Sequence, residues 1–149
     1  MRKYEFKGNF LYYVRLIKNL YEQTLSDVAE QCGITLPEAD VLSFLRENPE
    51  FDTARDVALY REVSRAYVSK AVESLVGRGY LEVVQDKSDR RLQHLIITKN
   101  AKKIIEKLHI AQYAFYDRVT TGLSEKELKA MLSAIEKCSE NLVEKGINI

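Results

Sequence analysis

The stretch that decides the fold is SRAYVSKAVESLVGRGYLEVVQDKSDRRLQHLIIT, residues 64–98. Its first half repeats apolar side chains at helical spacing, with Val68, Val72, Leu75 and Val76 on one side. Ser64 stands where an N-cap belongs, because its hydroxyl can accept from a free N–H of the first turn. Gly79 stands where a helix closes on a left-handed residue. Beyond it the period changes. YLEVV and LQHLIIT are short, apolar and rich in β-branched residues, and they flank the polar run DKSDRR, residues 86–91. This pattern predicts a hairpin with a charged tip.

Working outward, Thr53 and Asp56 have capping-box spacing ahead of a short helix, DVALYR, which ends in a tight turn near Glu62. Thr35 and Glu38 repeat that spacing. Pro37 is tolerated in a first turn, and the helix with Leu42 and Leu45 stops before Pro49. Further upstream, Phe10, Tyr13, Val14, Ile17, Leu20 and Tyr21 form a helix stripe. Downstream, Thr98 is placed to cap a helix running through Ile104, Ile105, Leu108, Ala111, Phe115 and Val119 to Gly122. Ser124 and Glu127 open a last helix, with Leu123 and Leu128 at hydrophobic-staple spacing. That helix aligns Met131, Leu132, Ile135, Cys138 and Leu142. A helix-turn-helix followed directly by a hairpin is a winged helix-turn-helix. The fold class is mainly α with a small β-wing.

Composition excludes several classes. The 149 residues are 46% apolar and 30% charged, enough for one packed domain with helical extensions. No apolar run reaches the ~20 residues of a membrane helix, and MRKYEFKGNF lacks the apolar region of a signal peptide, so a cytoplasmic protein without membrane contact is expected. Two cysteines and two histidines, dispersed, offer neither a disulfide framework nor a metal site, and no cofactor is expected. No nucleophile–base spacing and no phosphate loop argue for an enzyme. Charge is uneven. Residues 53–103 hold eleven basic and six acidic side chains, an excess of +5, against −3 over 1–52 and −1 over 104–149. A local basic surface is the electrostatic footprint of nucleic-acid binding.

The helix after Ser64 offers Ser64, Arg65, Ala66, Tyr67, Ser69, Lys70 and Ser74 on its outer side. A recognition helix presents its N-terminal half to the base edges of the major groove. There Arg65 or Lys70 can bond guanine O6 and N7, and Ser64 and Ser69 can bond phosphates. Tyr67 can touch a thymine methyl or a phosphate. At the hairpin tip, Asp86, Ser88 and Asp89 suit a turn, but a turn does not need two adjacent arginines. Arginines at a wing tip can enter a narrow minor groove. Lys87, Ser88, Arg90 and Arg91 are therefore the wing's candidate contacts. Asp86 and Asp89 are its braces, each able to fix a guanidinium.

Residues 64–98 with KNAKK after them resemble the MarR family of bacterial and archaeal transcription regulators. The resemblance rests on Ser64, Val68–Ser69, Leu75–Gly79, the D-x-x-D-R-R run of residues 86–91, and Ile97–Thr98, with a last helix opening L-S-x-x-E-L. It departs from the family at Arg61 and Glu62, where an apolar residue and then Gly or Asn are usual; here Tyr60 takes the apolar role. Ile97 and Ala101 also replace a usual Leu and Gly. The resemblance implies a homodimer joined by terminal helices, residues 1–34 and 100–149, around a DNA-binding domain of residues 35–99. Independently, Phe10, Tyr12, Tyr13, Ile104, Leu108, Phe115, Leu142 and Ile147 exceed what a small wing domain can bury. Two-fold symmetry implies a pseudo-palindromic site on double-stranded DNA with half-sites about ~10 bp apart.

The family also implies a small aromatic or lipophilic effector, for which Tyr12, Tyr13 and Tyr113 are candidate pocket residues, with Tyr21 and Phe115. A repressor relieved by such an effector is the leading reading. The alternatives are a winged-helix module that binds protein and a thiol-based redox regulator. For the latter, Cys32 precedes a turn without a basic neighbour in sequence, and Cys138 reads as an inert core residue.

Overall fold

A computed structural model describes residues 10–144, the last three by their backbone alone. The order is α1 (Phe10–Cys32), α2 (Leu36–Glu47), α3 (Ala54–Tyr60), α4 (Arg65–Gly77), β1 (Leu81–Gln85), β2 (Gln93–Ile97), a 3-10 turn (Lys99–Ala101), α5 (Lys102–Thr120) and α6 (Glu125–Glu144). The chain is mainly α with a two-stranded wing. It divides into two compact units, Met1–Phe115 and Tyr116–Ile149. Among the described residues no helix is long and apolar enough to cross a membrane.

The first unit holds the core. Leu25 and Val28 of α1, Val41 and Leu42 of α2, Val57 of α3, Val68 and Leu75 of α4, Leu81 and Leu95 of the wing, and Ile104 and Leu108 of α5 are buried together. Local signals start the helices as expected. Thr35 accepts from the Glu38 N–H while the Glu38 carboxylate accepts from the Thr35 N–H, and Thr53 with Asp56 does the same. Ser64 accepts from the Tyr67 N–H at 3.1 Å. Gly79, at φ +71°, ends α4, and the Tyr80 N–H returns to the Leu75 carbonyl at 2.8 Å. The strands pair antiparallel from Leu81↔Ile97 to Gln85↔Gln93. The Leu95 N–H also donates to the Asp52 carbonyl at 2.8 Å, tying the wing to the segment ahead of α3.

Thr98 does not cap α5. Its hydroxyl donates to the Gly79 carbonyl at 2.6 Å, and the helix begins instead through the 3-10 turn. The Gly79 carbonyl also accepts from the Asn100 side chain at 3.3 Å, so the two donors together close the base of the hairpin.

The turn between α3 and α4 keeps its shape despite the two departures. Glu62 takes the left-handed conformation, φ +53°, at the position where the family favours Gly or Asn. The Val63 N–H returns to the Ala58 carbonyl at 3.1 Å. Arg61 is held by Asp40 at 3.0 Å and Glu47 at 3.5 Å, with its guanidinium 5.5 Å from the Phe44 ring centre. Tyr60 packs its ring 4.7 Å from Phe51 while staying 54% exposed, so it takes the apolar role only on one face.

The terminal helices differ from the simple expectation. Phe10, Tyr12, Tyr13, Val14 and Ile17 are all exposed, and α1 meets the core from Tyr21 onward. Ile104, Leu108 and Phe115, offered above as interface residues, are instead buried within the protomer. In the second unit no described side chain of α6 is buried; Leu128 and Met131 are half-buried, and Leu132 and Ile135 are exposed. Cys138 shares that open side and is exposed, not a core residue. Its periodicity was that of an apolar stripe, but nothing within its unit covers the stripe. The Leu142 side chain and Ile147 lie outside the described residues.

The left-handed Glu62 sets a stability prediction. A Cβ-bearing residue in this region costs ~1–2 kcal/mol. Glu62→Gly removes that cost and adds ~0.5–1 kcal/mol of chain entropy to lose. The net expectation is a gain of about 0.5 kcal/mol in urea unfolding, with Glu62→Val losing stability by ~1 kcal/mol or more. A loss of stability in Glu62→Gly would show that the turn carries no strain.

Candidate nucleic-acid interface

Helix α4 is oriented by a buried carboxylate. Glu38 is 2% exposed at the first turn of α2. It accepts the Ser74 hydroxyl of α4 at 2.5 Å, and Arg78 at the end of α4 stands 3.5 Å from its other oxygen. Burial by itself pushes this carboxyl up. The Ser74 hydroxyl, the Thr35 backbone and side chain, and the Arg78 charge outweigh burial and hold it below its ordinary value. The inner face of α4 buries Val68, Ala71 and Leu75. Its outer face then presents Ser64, Arg65, Ala66, Ser69 and Lys70, all exposed in the N-terminal half.

Two members of the expected set are engaged inward. Tyr67 is half-buried and packs against the core. Burial raises its hydroxyl, with Asp40 and Glu22 adding to the effect. Ser74 is committed to Glu38 through its hydroxyl. The sequence carries no local sign of that bond, since the partners lie 36 residues apart.

The wing stands beside α4. Ser69, Val72, Glu73 and Val76 of the helix and Val83, Gln93 and Leu95 of the strands line one open groove. At the tip, Asp86 braces the turn. Its Oδ1 accepts the Ser88 N–H at 2.7 Å, the Ser88 hydroxyl at 2.6 Å and the Asp89 N–H at 2.7 Å. Asp89 accepts the Arg91 N–H at 2.9 Å, and the Gln85 side chain donates to the Arg90 carbonyl at 2.7 Å. The carboxylates therefore brace the backbone, contrary to the expectation that they fix the guanidinium groups. Among the described residues, neither Arg90 nor Arg91 is ion-paired, and both are exposed with Lys87 and Ser88. A short loop with several free N–H groups is a better match for a carboxylate than a mobile side chain is, because backbone donors are already in place.

These features are those of a recognition helix with a wing at its flank, and the comparisons agree. The family model described as MarR family matches residues 33–92. Over that stretch the chain is similar to MarR-family transcriptional regulators. The HTH-type transcriptional regulator BilQ of Clostridium symbiosum is 23% identical over 128 residues, covering 86% of this chain and 88% of BilQ. The transcriptional regulator AdcR of Streptococcus pneumoniae is 29% identical over 117 residues, covering 76% of this chain and 79% of AdcR. A MarR-family regulator from Listeria monocytogenes, solved with a 26mer DNA, superposes with a TM-score of 0.79. Its sequence is 16% identical, and the match covers 93% of this chain and 96% of that one. At that identity the likeness is one of fold.

The MarR-family resemblance implied an effector pocket at three tyrosines of the terminal helices, and all three are exposed on the protomer, Tyr12, Tyr13 and Tyr113 by 57%, 59% and 70%. Tyr21, also from that reading, lines a cavity of about 330 Å³ together with Lys18, Asp40, Arg61 and Tyr67. Burial raises the Tyr21 hydroxyl despite Arg61 and Gln112 beside it. Sequence reasoning gave Glu38 only as a cap and Arg61 only as a departure from the family, and it missed Gln112, because their further partners are distant along the chain; the Gln112 amide donates to both Tyr21 and Glu47 at 2.7 Å.

The bracing of the tip carries a pH prediction. The Ser88 hydroxyl, then the Asp89 N–H, His94 and the Ser88 N–H, hold the Asp86 carboxyl well below its ordinary 3.8. A group lowered in the folded state stabilises above its unfolded value, and that contribution fades only as pH falls through the lowered one. Carbon-13 NMR of the Asp86 carboxyl should show no titration step near 3.8, and Ser88→Ala should move its titration upward.

Proposed function

We propose that the protein is a homodimeric, sequence-specific DNA-binding repressor. The arrangement that carries this reading is an exposed arginine pair, without an ion-pair partner among the described residues, on a hydrogen-bonded wing tip beside an exposed, N-capped helix end. In this reading Ser64, Arg65, Ala66, Ser69 and Lys70 enter the major groove, Arg65 and Lys70 reading guanine and the serines bonding phosphates. Arg90 and Arg91 enter the adjacent minor groove, where negative potential concentrates, and Lys87 and Ser88 meet phosphate. Ser74 and Tyr67 hold the helix in place from within. The domain division follows: residues 35–99 bind DNA, and residues 1–34 and 100–149 dimerise.

The dimer reading rests on open apolar faces. Phe10, Leu11, Tyr13, Val14 and Ile17 on α1, and Leu132 and Ile135 on α6, are each 46% exposed or more. A second copy related by a two-fold axis covers such faces, and it sets two α4 helices about one DNA turn apart. A small aromatic effector fits the cavity at Tyr21 and Arg61, next to the turn that precedes α4. Binding there relieves repression by shifting that turn.

The test is fluorescence anisotropy on DNA upstream of the protein's own gene, comparing wild type with Arg90→Ala/Arg91→Ala across a salt series. Each lost phosphate-neutralising cation reduces counterion release. The double variant should bind more weakly, with a log–log salt slope shallower by roughly one to two units. Equal binding by both proteins, on this duplex and on random DNA alike, favours the protein-binding module instead.

A further inference from the structure

His94 lies on β2, directly opposite Val84 on β1, and its imidazole is held from both ends. Nδ1 is 2.7 Å from the Asp52 carboxylate, in the segment ahead of α3. Nε2 is 3.1 Å from the Asp86 Oδ2, at the wing turn. Both carboxylates can only accept, and a neutral imidazole carries a single N–H. Both contacts are satisfied together only by the imidazolium. The other oxygen of Asp86 is the one that collects Ser88 and Asp89 at the tip. The chain of bonds thus runs from the helix-turn-helix, through one ring, into the loop that carries Arg90 and Arg91.

We infer that His94 is a proton-dependent latch, a positioning residue that sets the wing tip against the helix-turn-helix for DNA contact. This rests on the DNA-binding reading above. The charged groups acting on His94 are Asp52, from the segment ahead of α3, and Asp86, from the wing itself. Protonated, the ring bridges them. Deprotonated, it keeps one donor, and its second nitrogen presents a lone pair to the other carboxylate. The wing then stays attached through β1 and through the Leu95–Asp52 backbone bond, but the tip loses its tie to the domain.

The direction of the pH effect follows. Hydrogen bonds to Asp52 and then Asp86 raise His94 above its ordinary 6.5, against a small opposing effect of burial. A group raised in the folded state contributes fully below its unfolded value and is lost as pH rises through the raised one. The latch is closed on the acid side and opens on the alkaline side. Nothing in the sequence spacing announces it, because the two carboxylates lie 42 and 8 residues away.

The test uses the full chain and two readouts. The first is amide order and hydrogen exchange of residues 86–92 in DNA-free protein, followed from about pH 6 to about pH 9. The second is anisotropy over the same range, at fixed salt, with a duplex selected from a random pool by the wild-type protein. In wild type the tip should loosen, and affinity should fall about tenfold, along the imidazole titration seen by NMR, the scale of one charged hydrogen bond. His94→Gln should flatten both profiles at the loosened level. Asp52→Asn, which keeps the backbone bond to Leu95, should lower the His94 titration and shift both profiles to more acid pH. Wing order that does not follow the His94 titration overturns the latch, whether or not DNA binds. If the wing follows the titration but the pool yields no bound duplex, the latch stands and the DNA reading falls. If affinity changes with pH equally in wild type and His94→Gln, the latch is overturned and another group is responsible.

Discussion

The buried carboxylate of Glu38 is the constraint on which the geometry of the interface depends. An ionised group in a protein interior is tolerable only when its oxygens are saturated with donors. Glu38 meets that condition by drawing on three places at once: the cap of its own helix, a hydroxyl in the middle of α4, and a guanidinium at the end of α4. The two donors from the α4 side, Ser74 and Arg78, also tie α4 to α2. The outer face of α4 is therefore set by what its inner face must do. The exposed residues of α4 depend on this kind of support, because among the described residues Arg65 and Lys70 make no ion pair.

The same logic governs the wing, on the exposed side of the molecule. A hairpin tip cannot be packed, so it is ordered by hydrogen bonds to a few acceptors. Asp86 takes three donors of the loop on one oxygen and His94 on the other. Asp89 takes a fourth loop donor. Spending both carboxylates on the backbone has an electrostatic result. Had they paired with Arg90 and Arg91, the tip would be rigid but locally neutral, and each guanidinium would have to leave its partner before meeting a phosphate. Bracing the backbone leaves the charge available.

Much of this was legible in the sequence because its causes are local. Caps at Thr35, Thr53, Ser64 and Ser124 act over three residues, the change of period at Gly79 acts over ten, and the turn residues of the wing are neighbours. These signals place the helices, the hairpin and the outer residues of α4. What was hidden depends on pairs far apart in the chain. Thr98 has the right identity for a cap, yet its hydroxyl found the Gly79 carbonyl 19 residues back. Ser74 reads as an outer residue and is exposed, yet its hydroxyl is bonded to Glu38, 36 residues back. Cys138 obeys the period of a buried stripe, but a period reports which residues share a side and not whether anything covers that side.

The turn at Arg61 and Glu62 joins these lessons. A family position that favours glycine is filled here by glutamate at φ +53°, and an apolar position by arginine. The compensation is electrostatic. Arg61 brings Asp40 and Glu47 of α2 onto the turn, and Glu47 in turn meets the Gln112 amide of α5, which also holds Tyr21 of α1. A turn that was closed by packing in its relatives' pattern is closed here by a polar network reaching α1, α2 and α5. Burial raises the Asp40 carboxyl above its ordinary value, while the Arg61 charge opposes the rise. A hydrophobic plug holds a turn through shape alone and responds weakly to what happens elsewhere. A network of charges responds to any group that adds or removes a partner. The left-handed turn just ahead of α4 is thus connected, through Glu47 and Gln112, to α1 and α5.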